Sequence, residues 1–331
     1  MTLLKPTVQR DISLFSAQAW QKGYQDDLLK FLGWSYPVIF YYDGFRVNFY
    51  HLQTDFVYFK ETITPKLIRD DQLFQKLNTQ FVNNIEQLKE KLKNIDLQSI
   101  LSIYALIGEI MSFYVFVVSD TFLAARSEAE RSRTLSEGIL YEADLKIETY
   151  LQKHLPSHQK SFAHFLSMDD IQGLITKEPL NISEIKKRQK GYIVRNTDII
   201  TNLSFDSFCK QQHWSLPKNK VLKAQIVQGK TANHGNAQGR AVIVRNKDDF
   251  DKVRNGDIII AVMTNITYTS IFKRAAAVVT DEGGVLCHAA ILARELNIPC
   301  VVGTSNATQV FKDRDFVILN TAEGLVKKTQ D

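Results

Sequence analysis

Two kinds of hydrophobic spacing divide this chain. From about residue 70 to 154 apolar residues recur every three or four positions. Leu73, Leu77, Phe81, Ile85, Leu88 and Leu92 fall on one face of a helix. No proline interrupts residues 66–155, so nothing local breaks that pattern. Upstream, residues 36–58 are dense in aromatic and β-branched side chains and contain Asp43-Gly44, a hairpin signal. Ser167-Met168-Asp169-Asp170 and Asn181-Ile182-Ser183-Glu184 each place a capping side chain three residues before a carboxylate, which marks a helix start. The basic run Lys186-Lys187-Arg188, with Lys190, reads as a solvated helix face.

After Pro217 the pattern changes to short strands alternating with short helices. Strands are expected at 221–227, 240–244, 257–262, 276–280, 300–302 and 316–319, and helices at 248–254, 268–274 and 288–296. Crossovers of this kind suit a partly parallel sheet. Composition breaks at the same place. Of 35 aromatic residues only five follow Pro217, whereas eight of the 15 glycines do. The expected fold is therefore α+β with two domains: a mainly helical, aromatic-rich domain over 1–215 and a second domain over 216–331. The linker is read at 215–220, where proline and polar residues interrupt both patterns.

Length and charge narrow the function. The chain has 331 residues, and 44% apolar with 23% charged residues excludes disorder as its main state. A formal net charge of +5 is too mild to mark a nucleic-acid binder. Cys209, Cys287 and Cys300 are odd in number, widely spaced and form no CxxC pair, so neither a disulfide framework nor a zinc site is expected. With no apolar secretory core in MTLLKPTVQRDISLF, the expected setting is the cytoplasm. Residues 100–118 come close to the length of a membrane span, but Glu109 at their centre argues for a helix buried in the helical domain and against a membrane partner. Trp20, Trp34, Glu109 and Arg126 stand out in the first domain without a pattern that assigns them a role.

The chemistry concentrates in residues 278–296. A β-rich run ends at Thr280, and Gly283-Gly284 permit a turn that side chains would block. A helix then begins with His288 in its first turn. Amides there lack partners within the helix, and the helix dipole adds positive potential, so a phosphoryl group on this imidazole would meet an anion site. The same potential disfavours imidazolium and leaves a nitrogen lone pair able to attack phosphorus. Ala289, Ala290 and Ala293 are expected to leave the helix start open to a second protein surface. Taken singly, a histidine at a helix start is ordinarily a cap or surface residue, and Cys287 a small packed one. Their fixed order is what is specific.

That order, Thr280-Asp281-Glu282-Gly283-Gly284-Val285-Leu286-Cys287-His288-Ala289-Ala290-Ile291-Leu292-Ala293-Arg294-Glu295, with Ile298-Pro299 and Val301-Val302-Gly303 after it, resembles the swivelling phosphohistidine domain of phosphoenolpyruvate-utilising enzymes. Pyruvate phosphate dikinase, phosphoenolpyruvate synthase and rifampicin phosphotransferase belong to that family. Gly229, Ala232 to Gly235 and Gly239-Arg240-Ala241 are similar to the family's opening motif, and Thr264 and Thr267 to the stretch before its signature. The resemblance covers about residues 220 to 328. It implies a β/β/α swivelling fold and phosphorylation of His288, with Gly283, Gly284, Cys287, Ala289 and Arg294 supporting the phosphate site. Three departures stand out: Leu286 where many members have Thr, Asn233-His234 for Ser-Pro, and Arg314 for a usual Gly.

Family members phosphorylate this histidine on an ATP-grasp domain and unload it at an acceptor domain. Neither is expected here: no glycine-rich nucleotide loop precedes residue 215, and a barrel of about 250 residues has no room. The expectation is a phosphoryl carrier whose ATP or phosphoenolpyruvate, with Mg²⁺, is held by a separate ATP-grasp or PEP-binding protein, and whose acceptor is an unidentified small molecule. No metal or cofactor is expected on the chain itself. The hinge of any swing would fall at 215–220. The alternative is a binding or regulatory protein that keeps the fold without catalysis and works through its aromatic first domain.

Overall fold

The expected hairpin is present. Strand β1 (Thr2–Arg10) is followed by β2 (Val38–Tyr42) and β3 (Val47–Leu52), which pair antiparallel around the Asp43-Gly44 turn. Asp43 secures the turn, its carboxylate accepting from the Arg46 amide and the Asn48 side-chain amide, both at 3.0 Å. In this computed structural model the described residues are 2–10, 12–44, 46–117, 122, 126, 128–136, 138–216, 226–245, 247–264, 266–285 and 287–329. The chain is mixed helix and sheet and divides into two compact units, Met1–Pro217 and Lys218–Asp331.

The strand element of the first unit is larger than expected. β4 (Tyr192–Arg195), β5 (Asp198–Ile200) and β6 (Trp214–Ser215) join it, giving six strands in the order β5-β4-β2-β3-β1-β6. β2 shows why the sheet must be covered on both faces. Val38, Phe40 and Tyr42 enter the helical core, while Ile39 packs with Phe205 and Phe208 on the other side. β1 escapes a pattern search because Pro6 interrupts it; the register with β3 shifts between Pro6 and Val8, an irregularity of the kind at which strands tolerate proline.

The helices of this unit include α1 (Leu14–Lys22), α2 (Asp71–Lys91), α3 (Leu97–Val117), α4 (Ile139–His154), α5 (Met168–Thr176), α6 (Ile182–Arg188) and α7 (Phe205–Gln211), with further helical segments between them, Ala129–Ser136 and Ser157–Phe165 among these. The predicted face of α2 is buried at Leu77, Phe81, Ile85 and Leu88. Among the described residues α3 alone is long and apolar enough to cross a membrane. Here Ile100, Ile103, Ile107, Ile110, Met111 and Phe116 of α3 lie in the unit's core, and Glu109 accepts from Asn84 at 2.9 Å and Gln80 at 3.3 Å. Val118, the last residue of the predicted stretch, lies outside the described residues. Trp20 is a core residue, Trp34 stacks on Phe59, and Arg126 bonds Asp71 while lying over the Phe74 ring.

Both predicted helix starts are capped. Ser167 and Asp170 form a reciprocal box at α5, and Asn181 accepts from the Glu184 amide at 3.2 Å. The basic run is not wholly solvated. Lys186 and Lys187 are exposed, but Arg188 is buried, its guanidinium bonded to the Asp170 carboxylate and the Phe165 carbonyl. The carboxylate that closes the capping box draws it inward.

In the second unit the strands are β7 (Ile226–Gln228), β8 (Lys230–Asn233), β9 (Asn236–Val244), β10 (Asp257–Ala261), β11 (Ala275–Thr280), β12 (Cys300–Val302), β13 (Phe316–Asn320) and β14 (Leu325–Lys328). They form one sheet in the order β7-β14-β13-β9-β10-β11-β12-β8, with β9, β10, β11 and β12 mutually parallel. Its two end strands are halves of one run. The first half pairs with β14 and the second with β12, and the run turns at Gly229. A methyl group on Gly229 would lie 2.6 Å from the Val302 carbonyl oxygen, so only glycine lets the strands meet there.

The joined sheet has two apolar faces. Val227, Ile243, Ile258, Val279, Val301, Val317, Leu319 and Val326 pack together on one. Val242, Val244, Ile259 and Val278 on the other are covered by α8 (His288–Glu295) and by Ile271 and Phe272 of the short helix Thr269–Phe272. The helix expected over 248–254 is a short, tightly wound 3₁₀ helix, Lys247–Lys252. Of the linker expected at 215–220, Ser215 belongs to β6 and residues 217–220 lie outside the described residues, as do 221–225 of the first expected strand.

Candidate functional site

β10 and β11 run parallel, and their carboxyl ends are where the signature lies, the position at which open α/β sheets ordinarily hold ligands. Their ladder continues past the last strand residues: the Asp281 amide donates to the Ala261 carbonyl at 3.0 Å and the Glu282 amide to Val262 at 2.8 Å. Asp281 is buried. Its carboxylate accepts from the Thr304 hydroxyl at 3.0 Å, from the Thr308 amide at 3.2 and 3.3 Å, and from the Thr308 hydroxyl. Burial raises its pKa despite those bonds from Thr308 and Thr304. Asp281 thus fastens the start of the signature loop to the short helix Ala307–Val310.

The two glycines differ. Gly283 has φ +108°, and a Cβ there would lie 2.7 Å from the Cys287 sulfur. Gly284 has open space around the position of a Cβ, so it is not needed to make the turn. Gly283→Ala should therefore cost the second unit about 1–3 kcal/mol, seen as a lower melting temperature, while Gly284→Ala leaves it within about 0.5 kcal/mol. Equal melting of the two variants would contradict this account.

Cys287 is the residue before α8, in extended conformation, and its amide closes a turn onto the Gly284 carbonyl at 3.0 Å. Burial raises its thiol pKa, while the facing amides of Ala290 and Ala289 oppose that rise. Leu286, one of the sequence's departures, lies outside the described residues.

His288 is the first residue of α8 and is half-buried. Its Nδ1 lies 3.0 Å from the hydroxyl oxygen of buried Thr264, and its ring stands edge-on to Phe272 with centroids 6.4 Å apart. Thr264 is the residue sequence reasoning placed near the site without giving it a role. Ala289, Ala290 and Ala293 are buried against the sheet, where their small size lets α8 lie close; they do not form an open approach. Among the described residues, Val285 and Ile291 are the exposed large apolar side chains on either side of His288 in the sequence.

Arg294 donates through Nη1 to the Val285 carbonyl at 2.8 Å and to the Ala232 carbonyl at 3.2 Å. Asn233, which stands where a serine was expected, donates to the Ile298 carbonyl at 2.9 Å, just beyond α8, and neighbouring His234 is exposed. Arg314, in place of the expected glycine, keeps a left-handed φ of +72° and pairs with Asp257 at 3.3 Å. Among the described residues no three His, Cys, Asp or Glu side chains are grouped to hold a metal ion.

Known proteins align with this part of the chain. Residues 253–324 match the family described as PEP-utilising enzyme, mobile domain, so the second unit carries that domain. The probable phosphoenolpyruvate synthase of Methanothermobacter thermautotrophicus is 50% identical over 101 residues, 30% of this chain and 15% of the relative. The phosphoenolpyruvate synthase of Pyrococcus furiosus is 41% identical over 140 residues, 42% of this chain and 16% of the relative. The probable phosphoenolpyruvate synthase of Archaeoglobus fulgidus is 34% identical over 177 residues, 51% of this chain and 23% of the relative. The chain thus spans less than a quarter of these relatives' length. The last match exceeds Lys218–Asp331, so it reaches back into the first unit.

Proposed function

We propose that the second unit is a swivelling phosphoryl carrier in which His288 takes a phosphoryl group from a donor on a partner chain and delivers it to an acceptor. The observation that carries this reading is the bond between Thr264 and Nδ1 of a half-buried histidine at a helix start. When Nδ1–H donates to the Thr264 oxygen, the proton is fixed on Nδ1 and the lone pair on Nε2. Nε2 attacks the donor phosphorus in line. The N–P bond forms as the P–O bond to the leaving group breaks, and the electron pair departs with that oxygen as ADP or enolpyruvate. No proton need leave Nδ1 at that step. The reverse attack, by an acceptor oxygen, returns the neutral ring.

Such a transfer depends on positioning and charge neutralisation more than on covalent machinery. This chain supplies the nucleophile and its orientation. In this reading ATP or phosphoenolpyruvate, with Mg²⁺ neutralising the phosphates, is held by a separate ATP-grasp or PEP-binding protein, and the acceptor is a small molecule. The family match supports a PEP-utilising type of chemistry.

The test is phosphate on the imidazole. The full chain is incubated with Mg-ATP or with phosphoenolpyruvate, in the presence of an extract of the cells that make it, and digested under alkaline conditions. One phosphoryl group should be found by mass spectrometry on the peptide containing His288, and the productive donor identifies the partner's class. No phosphate from either donor would instead favour the binding-protein reading.

A further inference from the structure

The signature loop is held firmly at both ends and lightly in the middle. Its start is fixed by the strand ladder and by the Asp281 carboxylate, and its end enters α8, which packs on the sheet. Between them Val285 is 45% exposed. Side chains on a helix lean toward its N-terminus, so Arg294, on the second turn of α8, comes back over the helix start. There one guanidinium nitrogen joins Val285 of the loop to Ala232 of β8. The bond is charge-assisted, and the planar head is well suited to holding two carbonyls at once. Burial raises the thiols of Cys287 and Cys300, and the positive charge of Arg294 opposes both rises, which places the cation close to the residue before His288.

We propose that Arg294 is a positioning residue: it clasps the loop ahead of His288 to β8 and so sets the backbone from which the imidazole projects, rather than acting as a ligand of the transferred phosphate. This deepens the carrier reading and rests on it for its consequence, but the clasp can be tested without any donor. In the full chain, Arg294→Met keeps the aliphatic stem and removes the donors, and Arg294→Lys keeps the charge and a shorter donor.

Hydrogen exchange of the loop, above all at the Cys287 amide that closes onto Gly284, should quicken about tenfold in Arg294→Met, the loss of one charge-assisted bond. Lys should restore part of that protection, and melting temperature should fall by only a few degrees. Where a donor has been found, phosphorylation of His288 should slow in the same order, native, Lys, Met. Unchanged loop exchange in Arg294→Met overturns the proposal, and so does slower phosphorylation with native exchange, since that pattern marks direct phosphate contact. If the native chain takes no phosphate at all, the carrier reading fails while the exchange comparison still decides the clasp.

Discussion

A chain carrying His288→Ala should take up no acid-labile phosphate from the donor that labels the native chain, and a Thr264→Val chain should take it up about a hundredfold more slowly. The first loss is total because the substitution removes the nucleophile. The second follows from the 3.0 Å contact at Nδ1. Valine nearly matches the shape of threonine but faces Nδ1 with a methyl group. The bond that holds the proton on Nδ1 is then lost, so the population with an unprotonated Nε2 falls. Thr264 is 6% exposed, which leaves little room for water to replace the hydroxyl. The loss to folding should be only about 1 kcal/mol, one neutral hydrogen bond. Rapid-quench time courses at several pH values, paired with thermal melts, separate the two effects. A valine variant phosphorylated at the native rate would show that the Nδ1 contact does not orient the ring.

Asp281→Ala should lower the stability of the second unit by about 2 kcal/mol, since it removes the acceptor of the half-buried Thr308 amide and hydroxyl, while the buried Thr304 hydroxyl keeps the Thr280 carbonyl at 3.1 Å. Asn should recover part of this. Its oxygen can still accept, but its amide nitrogen is a donor facing donors. The pH dependence has a definite sign. Burial raises the Asp281 pKa above its ordinary value of 3.8, so the folded chain binds this proton more tightly than the unfolded chain does. Its contribution to stability is therefore greatest in acid and declines as pH rises from about 3.8 through the raised folded value. Denaturant melts across that interval should show the decline in the native chain and lose it in Asp281→Asn. A contribution from this residue that grows with pH would contradict the burial account.

What the sequence discloses is what neighbours in the chain can arrange. The Asp43 turn, the Ser167 and Asn181 caps and the start of α8 at His288 each depend on residues within a few positions, and each is found as expected. The four parallel strands are legible because buried strands carry continuous apolar runs. What stays hidden is long-range. Thr264 meets His288 across 24 positions, and Arg188 is buried because Asp170, 18 positions earlier, has turned inward. β1 is illegible for a different reason: its pairing with β3 is long-range, and Pro6 also breaks its local pattern. At the site the same division holds. The histidine and Gly283 are local signals, whereas the packing of Ala289 and Ala290, and the path of Arg294, depend on where the sheet lies beneath the helix.

The bend at Gly229 has a mechanical consequence. Because one stretch of backbone finishes both margins of the second sheet, neither margin can peel away without loosening the other. Fraying, which in an open sheet starts independently at each border, becomes a single event here. A body built this way resists deformation as a single rigid parcel.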